Sequence, residues 1–145
     1  MTANDLMELT PVLILCGILG LATAGAAFRG GAAEHTGVVI FSLAWMAALI
    51  VDMLLPAGQS AWPLLMMDLG LLLGLIGLAW KSPRPWPVWA AGFQLLSIAI
   101  GGAYLMRPDQ VGLPAYWTAS EWAGYAAAAC LAVGAWMGDP RPQEE

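Results

Sequence analysis

The chain has 145 residues, of which 60% are hydrophobic and 10% are charged, and its mean hydropathy is +0.72. Soluble domains carry about 25% charged residues, so this composition excludes an ordinary soluble core and indicates an all-α integral membrane protein. The net charge of −5 leaves no basic patch for nucleic acid or anionic lipid. The length allows one transmembrane domain over residues 1–145, a single bundle with short loops.

Apolar segments along the chain predict a bundle of about five transmembrane helices. Each segment is close to the roughly 20 residues that a helix needs to cross the hydrocarbon core of a bilayer. The predicted spans cover residues 10–28, 37–56, 62–80, 86–106 and 120–138. Every tryptophan except Trp45 falls near a predicted helix end, where the ring suits the membrane interface, and core packing is the role expected of Trp45.

The first span is predicted to be a retained helix and not a cleaved signal peptide. A signal peptide needs positive charge ahead of its apolar region, whereas residues 1–10 contain Asp5 and Glu8 and neither Lys nor Arg. Thr10 followed by Pro11 is typical of an N-cap and a first helical position. We therefore expect the helix to begin there.

Residues that often bind cofactors are scarce. His35 is the single histidine, and Cys16 and Cys130 lack Cys-x-x-Cys spacing, so neither bis-histidine haem ligation nor a histidine-based metal cluster can be assembled within one chain. No phosphate-binding loop, nucleophile elbow or zinc motif occurs. The sequence predicts no cofactor, no metal site and no catalytic residue.

Asp68 stands inside the leucine-rich third span, about 9 Å below its nearer end by helical rise. An ionisable group at that depth is costly and usually needs a partner. The glycines of the same span lie on the opposite side of the helix, at about 100° per residue. Asp68 therefore faces either a neighbouring helix or another subunit.

Three interpretations of Asp68 are open at this point. In the first, it hydrogen-bonds Gln94, Ser97, Tyr104 or a partner chain, and so fixes packing. In the second, it forms a pair that handles protons or cations with Asp52, which lies near the end of the second span. Two nearby carboxylates tend to share a proton. In the third, it docks a cationic residue of a partner membrane protein.

Small residues recur at spacings of three and four along several spans. Such stripes let helix backbones approach closely, which supplies packing energy inside a bilayer. The helix-packing glycines that this spacing predicts are Gly17, Gly20, Gly70, Gly74, Gly77, Gly101 and Gly134. The expected partners are another membrane protein or a second copy of this chain.

Two connections carry recognisable turn chemistry. Prolines at positions 83, 85 and 87 forbid a continuous helix from the third span into the fourth. The loop over residues 107–119 is predicted to be a turn followed by an interfacial aromatic pair, Tyr116 and Trp117. Residues 118–121 fit a capping box ahead of the fifth span, which gives Glu121 a structural role.

Lys and Arg in the short loops predict the orientation. Arg29, Lys81, Arg84 and Arg141 fall on one side of the predicted bundle, and Arg107 falls on the other. Because loops rich in Lys and Arg remain in the cytoplasm, we expect a multi-pass protein of the bacterial inner membrane. Its N-terminus is expected outside and its C-terminus in the cytoplasm.

The function that the sequence favours is that of a small accessory or scaffolding subunit without catalytic activity, because the loops are short and catalytic groups are lacking. The alternative is a small homo-oligomeric transporter, or a proton- or cation-coupled carrier, that uses Asp68 with Asp52. A membrane enzyme comes third, since it would need chemistry around these two residues with Tyr104 and Glu121, and no fixed spacing supports it.

Overall fold

The computed structural model describes the backbone of residues 3–56 and 59–137, of which about 90% are helical, with no strand among them. The helices are α1 (Ala3–Arg29), α2 (Ala32–Leu54), α3 (Ala61–Lys81), α4 (Trp86–Met106), α5 (Pro108–Val111) and α6 (Leu113–Trp136). The predicted all-α fold class is confirmed. Arg141, which contributed to the predicted orientation, lies outside the described residues.

Three helices within the described residues are each long and apolar enough to cross a membrane, namely α2, α3 and α4. Helix α1 contributes a shorter apolar stretch, Leu13–Arg29, and α6 is a long alanine-rich helix. The break between α3 and α4 falls at the prolines, as predicted, because a proline ring clashes with the preceding helical turn.

Three predicted helix starts are wrong. Helix α2 begins at Ala32, before the predicted start at position 37, so Glu34 lies in the helix and not in a loop. Thr10 lies inside α1 and does not cap it, because the helix already begins at Ala3. Helix α6 begins at Leu113, so the predicted capping box at residues 118–121 lies within the helix. The actual start has a physical cause: Gly112 adopts φ +70°, which glycine tolerates, and Pro114 suits the first helical turn.

The five long helices form a closed ring. The order of the helices around the ring is α1, α6, α4, α3 and α2. Helix α2 contacts α1, which closes the ring. Short connections make consecutive helices run in opposite directions, which defines two ends of the bundle. We call the end that holds residues 30–31 and 82–85 the connector end, and the end that holds α5 the cavity end.

The centre of the ring is filled at the connector end. The Trp86 ring is buried there between α2 and α6. A Cβ added to Gly134 would lie 2.4 Å from the Trp86 ring, and one added to Gly37 would lie 2.6 Å from it. Glycine at these two positions therefore makes the room that the indole occupies.

The other predicted packing glycines fall into two groups. A Cβ at Gly101 would meet Leu65 at 3.3 Å, and one at Gly74 would meet Ile40 at 3.4 Å, so both glycines lie at contacts between helices. A Cβ at the remaining four would meet nothing within 4 Å in the described chain, and these are Gly17, Gly20, Gly70 and Gly77. A packing role for these four would require another chain, and it stays a prediction.

Candidate ligand-binding cavity

A cavity of about 240 Å³ lies inside the ring, between the Trp86 region and the cavity end. We call it the central cavity. All five long helices contribute to its wall, which is mostly aliphatic and aromatic. Its polar members other than tyrosine are Asp52, Asp68, Gln94, Ser97, Ser120 and Glu121.

Asp68 is held in this cavity by two donors from one face of α4. Gln94 Nε2 donates to Asp68 Oδ1 at 2.7 Å, and Ser97 Oγ donates to Asp68 Oδ2 at 2.9 Å. Gln94 and Ser97 are only 2% and 4% exposed, so their geometry is fixed by packing. A carboxylate has about four acceptor positions, and the two hydrogen bonds leave capacity for a further donor or a cation.

Tyr104, the third predicted partner of Asp68, is placed elsewhere. Its ring stacks on Tyr116, with ring centroids 4.7 Å apart and an angle of 13° between the planes. Tyr116 is itself buried and lines the central cavity. The predicted pair of Tyr116 and Trp117 is present, with ring centroids 5.3 Å apart and an angle of 50° between the planes. The early start of α6 places Tyr116 inside the bundle. Tyr104 supports the cavity wall from behind.

The predicted pair of Asp68 and Asp52 lines one cavity. Asp52 is exposed near the end of α2, and Ser60, at the start of α3, hydrogen-bonds its side chain. Glu121 of α6 is also exposed and lines the same cavity. Asp68 is half-buried, so it lies deeper than these two carboxylates, which mark the mouth.

Aromatic rings form much of the remaining wall. Trp45, for which core packing was the expected role, packs against the hydrophobic core and also lines the cavity. Phe41, Trp117 and Tyr125 line it as well. Ser120 completes this side of the wall, and its buried hydroxyl oxygen has no hydrogen-bond partner among the described residues.

A second buried carboxylate, Glu34, lies at the connector end and was not predicted as a site. It is 0% exposed and accepts hydrogen bonds from Trp86 Nε1 at 2.8 Å and from the Gly31 backbone N–H at 2.8 Å. Arg84 Nη1 lies 2.9 Å from Glu34 Oε1 in an ion pair. The local signal was available, since a glutamate three residues after the start of a helix commonly caps it.

Among the described residues, negative and positive charges lie at opposite ends of the bundle. The cavity end and the cavity itself contain Asp52, Asp68, Asp109 and Glu121, against Arg107. The connector end contains Arg29, Lys81 and Arg84, against Glu34. At the same end, Arg29 of α1 contacts α6, because its guanidinium lies 5.8 Å from the centre of the Trp136 ring. A cation approaching the cavity end therefore meets a negative field.

The carboxylates of the cavity are dispersed. Within the part of the chain that the structure describes, no three His, Cys, Asp or Glu side chains converge as a metal site. Asp52, Asp68 and Glu121 come from three different helices. In comparisons with protein-family models, curated proteins and solved structures, nothing matches this chain.

Proposed function

We propose that this chain is a small membrane carrier that binds a proton or a small cation in its central cavity. The observation that supports it best is the composition of the wall: among the described residues that line the cavity, three are carboxylates and none is Lys or Arg. In this proposal Asp68 is the charged group at depth, and Asp52 and Glu121 attract the cation at the mouth.

The charge of Asp68 is not cancelled by its hydrogen-bond partners. Gln94 and Ser97 are neutral donors, so they orient the carboxylate without cancelling its charge. A buried charge inside a bilayer is costly unless another charge compensates it or a proton neutralises it. A bound cation or proton supplies that compensation, and the unused acceptor capacity of Asp68 gives it a place.

The proposed orientation follows from the charge separation. Arg29, Lys81 and Arg84 at the connector end favour the cytoplasm for that end. In a bacterial inner membrane the cavity would then open to the outside, with the N-terminus also outside. Release to the cytoplasm would require the Glu34–Arg84 pair and the Trp86 ring to move, since these side chains fill the ring at that end.

Flux into reconstituted vesicles tests the carrier. The purified chain is placed in vesicles, a pH gradient or an inside-negative potential is imposed, and proton or monovalent-cation entry is followed. Asp68→Asn keeps the size of the side chain and removes its charge. The amide oxygen can still accept from Gln94, and the new amide nitrogen can donate to Ser97 Oγ, so both contacts can persist with one of them reversed in direction. We expect Asp68→Asn to abolish flux and the control Asp109→Asn, at an exposed position on α5, to retain it. Full flux in Asp68→Asn would contradict the proposal.

A second candidate function is that of a non-catalytic accessory subunit. It is favoured by the four glycines whose helix faces meet nothing in the described chain, at positions 17, 20, 70 and 77. Small residues on open faces of membrane helices permit close packing of another helix. Native mass spectrometry of the protein extracted from its own membrane tests this: a stoichiometric foreign subunit supports it, and a monomer or pure homo-oligomer counts against it.

A further inference from the structure

We infer that the central cavity binds a small organic ammonium ion, with the positive charge near Asp68 and the apolar substituents against the aromatic wall. The inference rests on the proposed cation-binding function and names the class of its ligand. It depends on three observations that are independent of the charge of Asp68: the volume of the cavity, the chemistry of its wall and the dispersal of its carboxylates.

The volume favours a molecule over a bare ion. The cavity holds about 240 Å³, which is far more space than one water molecule or a bare ion needs. A lone inorganic cation would leave most of it to be filled by water against an apolar wall. An organic cation of about ten non-hydrogen atoms fills it and displaces that water.

The wall is suited to an ammonium group with apolar substituents. Aromatic faces attract cations, and the attraction increases where water is excluded. Trp45 of α2 and Tyr125 of α6 both line the cavity. One face of Tyr116 is already stacked on Tyr104, so that ring is held rigidly in the wall. The aliphatic lining between the rings would accept methyl or methylene groups.

The dispersal of the carboxylates disfavours a divalent metal ion. Calcium takes six to eight oxygen ligands at about 2.3–2.6 Å, and magnesium needs near-octahedral geometry. Within the described residues no such group of acidic side chains converges. A larger cation with a diffuse charge needs no tight shell, since one deep carboxylate and surrounding rings suffice.

The test measures binding of benzyltrimethylammonium to the purified full chain by calorimetry in a non-ionic detergent. We expect one saturable site per chain. The neutral analogue with carbon in place of nitrogen is expected to bind at least about tenfold more weakly, as is benzyltrimethylammonium to Asp68→Asn. Equal affinity for the charged and neutral compounds would overturn the inference, and this comparison in the unmodified chain depends on no variant.

The aromatic wall is tested by a matched pair of substitutions. Trp45→Leu removes a ring from the cavity, and we expect it to weaken binding by about threefold to thirtyfold. Trp89→Leu removes a ring that is 66% exposed on α4 and lies outside the cavity wall, and it should leave affinity unchanged. Equal effects of the two substitutions would count against a cation held by this wall.

The outcomes separate this inference from the carrier proposal. If flux depends on Asp68 but the ammonium does not bind, the proposed ligand class is wrong and the carrier proposal is retained. Asp68-dependent binding without flux, either with or without the ammonium present, would overturn the carrier and leave the ligand class standing. Competition by calcium chloride at equal ionic strength against a sodium chloride control would indicate a divalent site and contradict the inference.

Discussion

Asp68 and Glu34 are both carboxylates enclosed by helices, but the charges around them differ. Glu34 is fully buried and paired with Arg84, and it also accepts from Trp86 and from the backbone of Gly31. The two donors to Asp68 are uncharged. The charge of Glu34 is therefore compensated within the described chain, which suits a structural role. Within the described residues no positive charge pairs with Asp68, which suits a ligand site.

The contrast predicts a large loss of stability on changing Glu34 to Ala. The substitution removes the acceptor of the buried Trp86 N–H and the partner of Arg84, whose side chain is 29% exposed. We expect the free energy of unfolding to fall by about 2–4 kcal/mol, below the largest values for buried pairs because Arg84 reaches solvent. Unfolding in mixed detergent micelles measures the difference.

The matched control for this prediction is Glu121→Ala. Glu121 is an exposed carboxylate at the mouth of the cavity, and exposed substitutions usually change stability by less than about 0.5 kcal/mol. A Glu34→Ala chain as stable as Glu121→Ala would show that the Glu34 contacts contribute little to folding.

At the scale of helices, the predicted packing glycines separate by what lies opposite each of them. Gly134 faces the Trp86 ring, while Gly77 faces open space in the described chain. The spacing pattern in the sequence is the same for both, because it records only that small residues share a face of one helix. Which face meets a neighbour depends on the rotation of each helix in the ring.

Alanine at these two glycines should therefore have opposite effects. In Gly134→Ala, the new Cβ would lie 2.4 Å from the Trp86 ring, so the ring must shift, and we expect a loss of about 1–3 kcal/mol. Gly77→Ala should be neutral or stabilising by up to about 1 kcal/mol, because alanine favours the helix. Melting temperatures in detergent compare them.

A different result at Gly77 would be informative about association. Suppose that Gly77→Ala leaves the monomer stable but causes an oligomer to dissociate in size-exclusion chromatography. Gly77 would then pack against a second chain, as predicted. Loss of stability in a chain that is monomeric throughout would contradict the open face that the structure gives this glycine.

At the scale of the whole molecule, the separation of charge predicts how the bundle sits in the membrane. After Cys16 and Cys130 are replaced by Ala, single cysteines are introduced by Asp109→Cys at the cavity end and Ser82→Cys at the connector end. We expect a membrane-impermeant maleimide to label the first in intact cells and the second only after permeabilisation, because loops rich in Lys and Arg favour the cytoplasmic side. The reverse labelling would invert the orientation.

Much of the bundle could be predicted locally. A run of apolar residues long enough to span a bilayer forms a helix because no other structure satisfies its backbone there. The prolines at 83, 85 and 87 end and restart helices through local sterics alone. The predicted start of the last helix lies too late, because Gly112 and Pro114 begin α6. The capping box at 118–121 is a side-chain pattern that a continuous helix can also contain.

The sequence by itself determined the all-α membrane class, the long helices and the unusual position of Asp68, because these follow from composition and from the order of residues along one helix. The tertiary structure alone decided that α6 packs between α1 and α4, that Glu34 meets Trp86, and that a cavity separates Asp52 and Glu121 at the mouth from Asp68 at depth. These contacts join residues far apart in the chain, and they depend on the rotation and order of helices in the ring. No local pattern specifies either quantity.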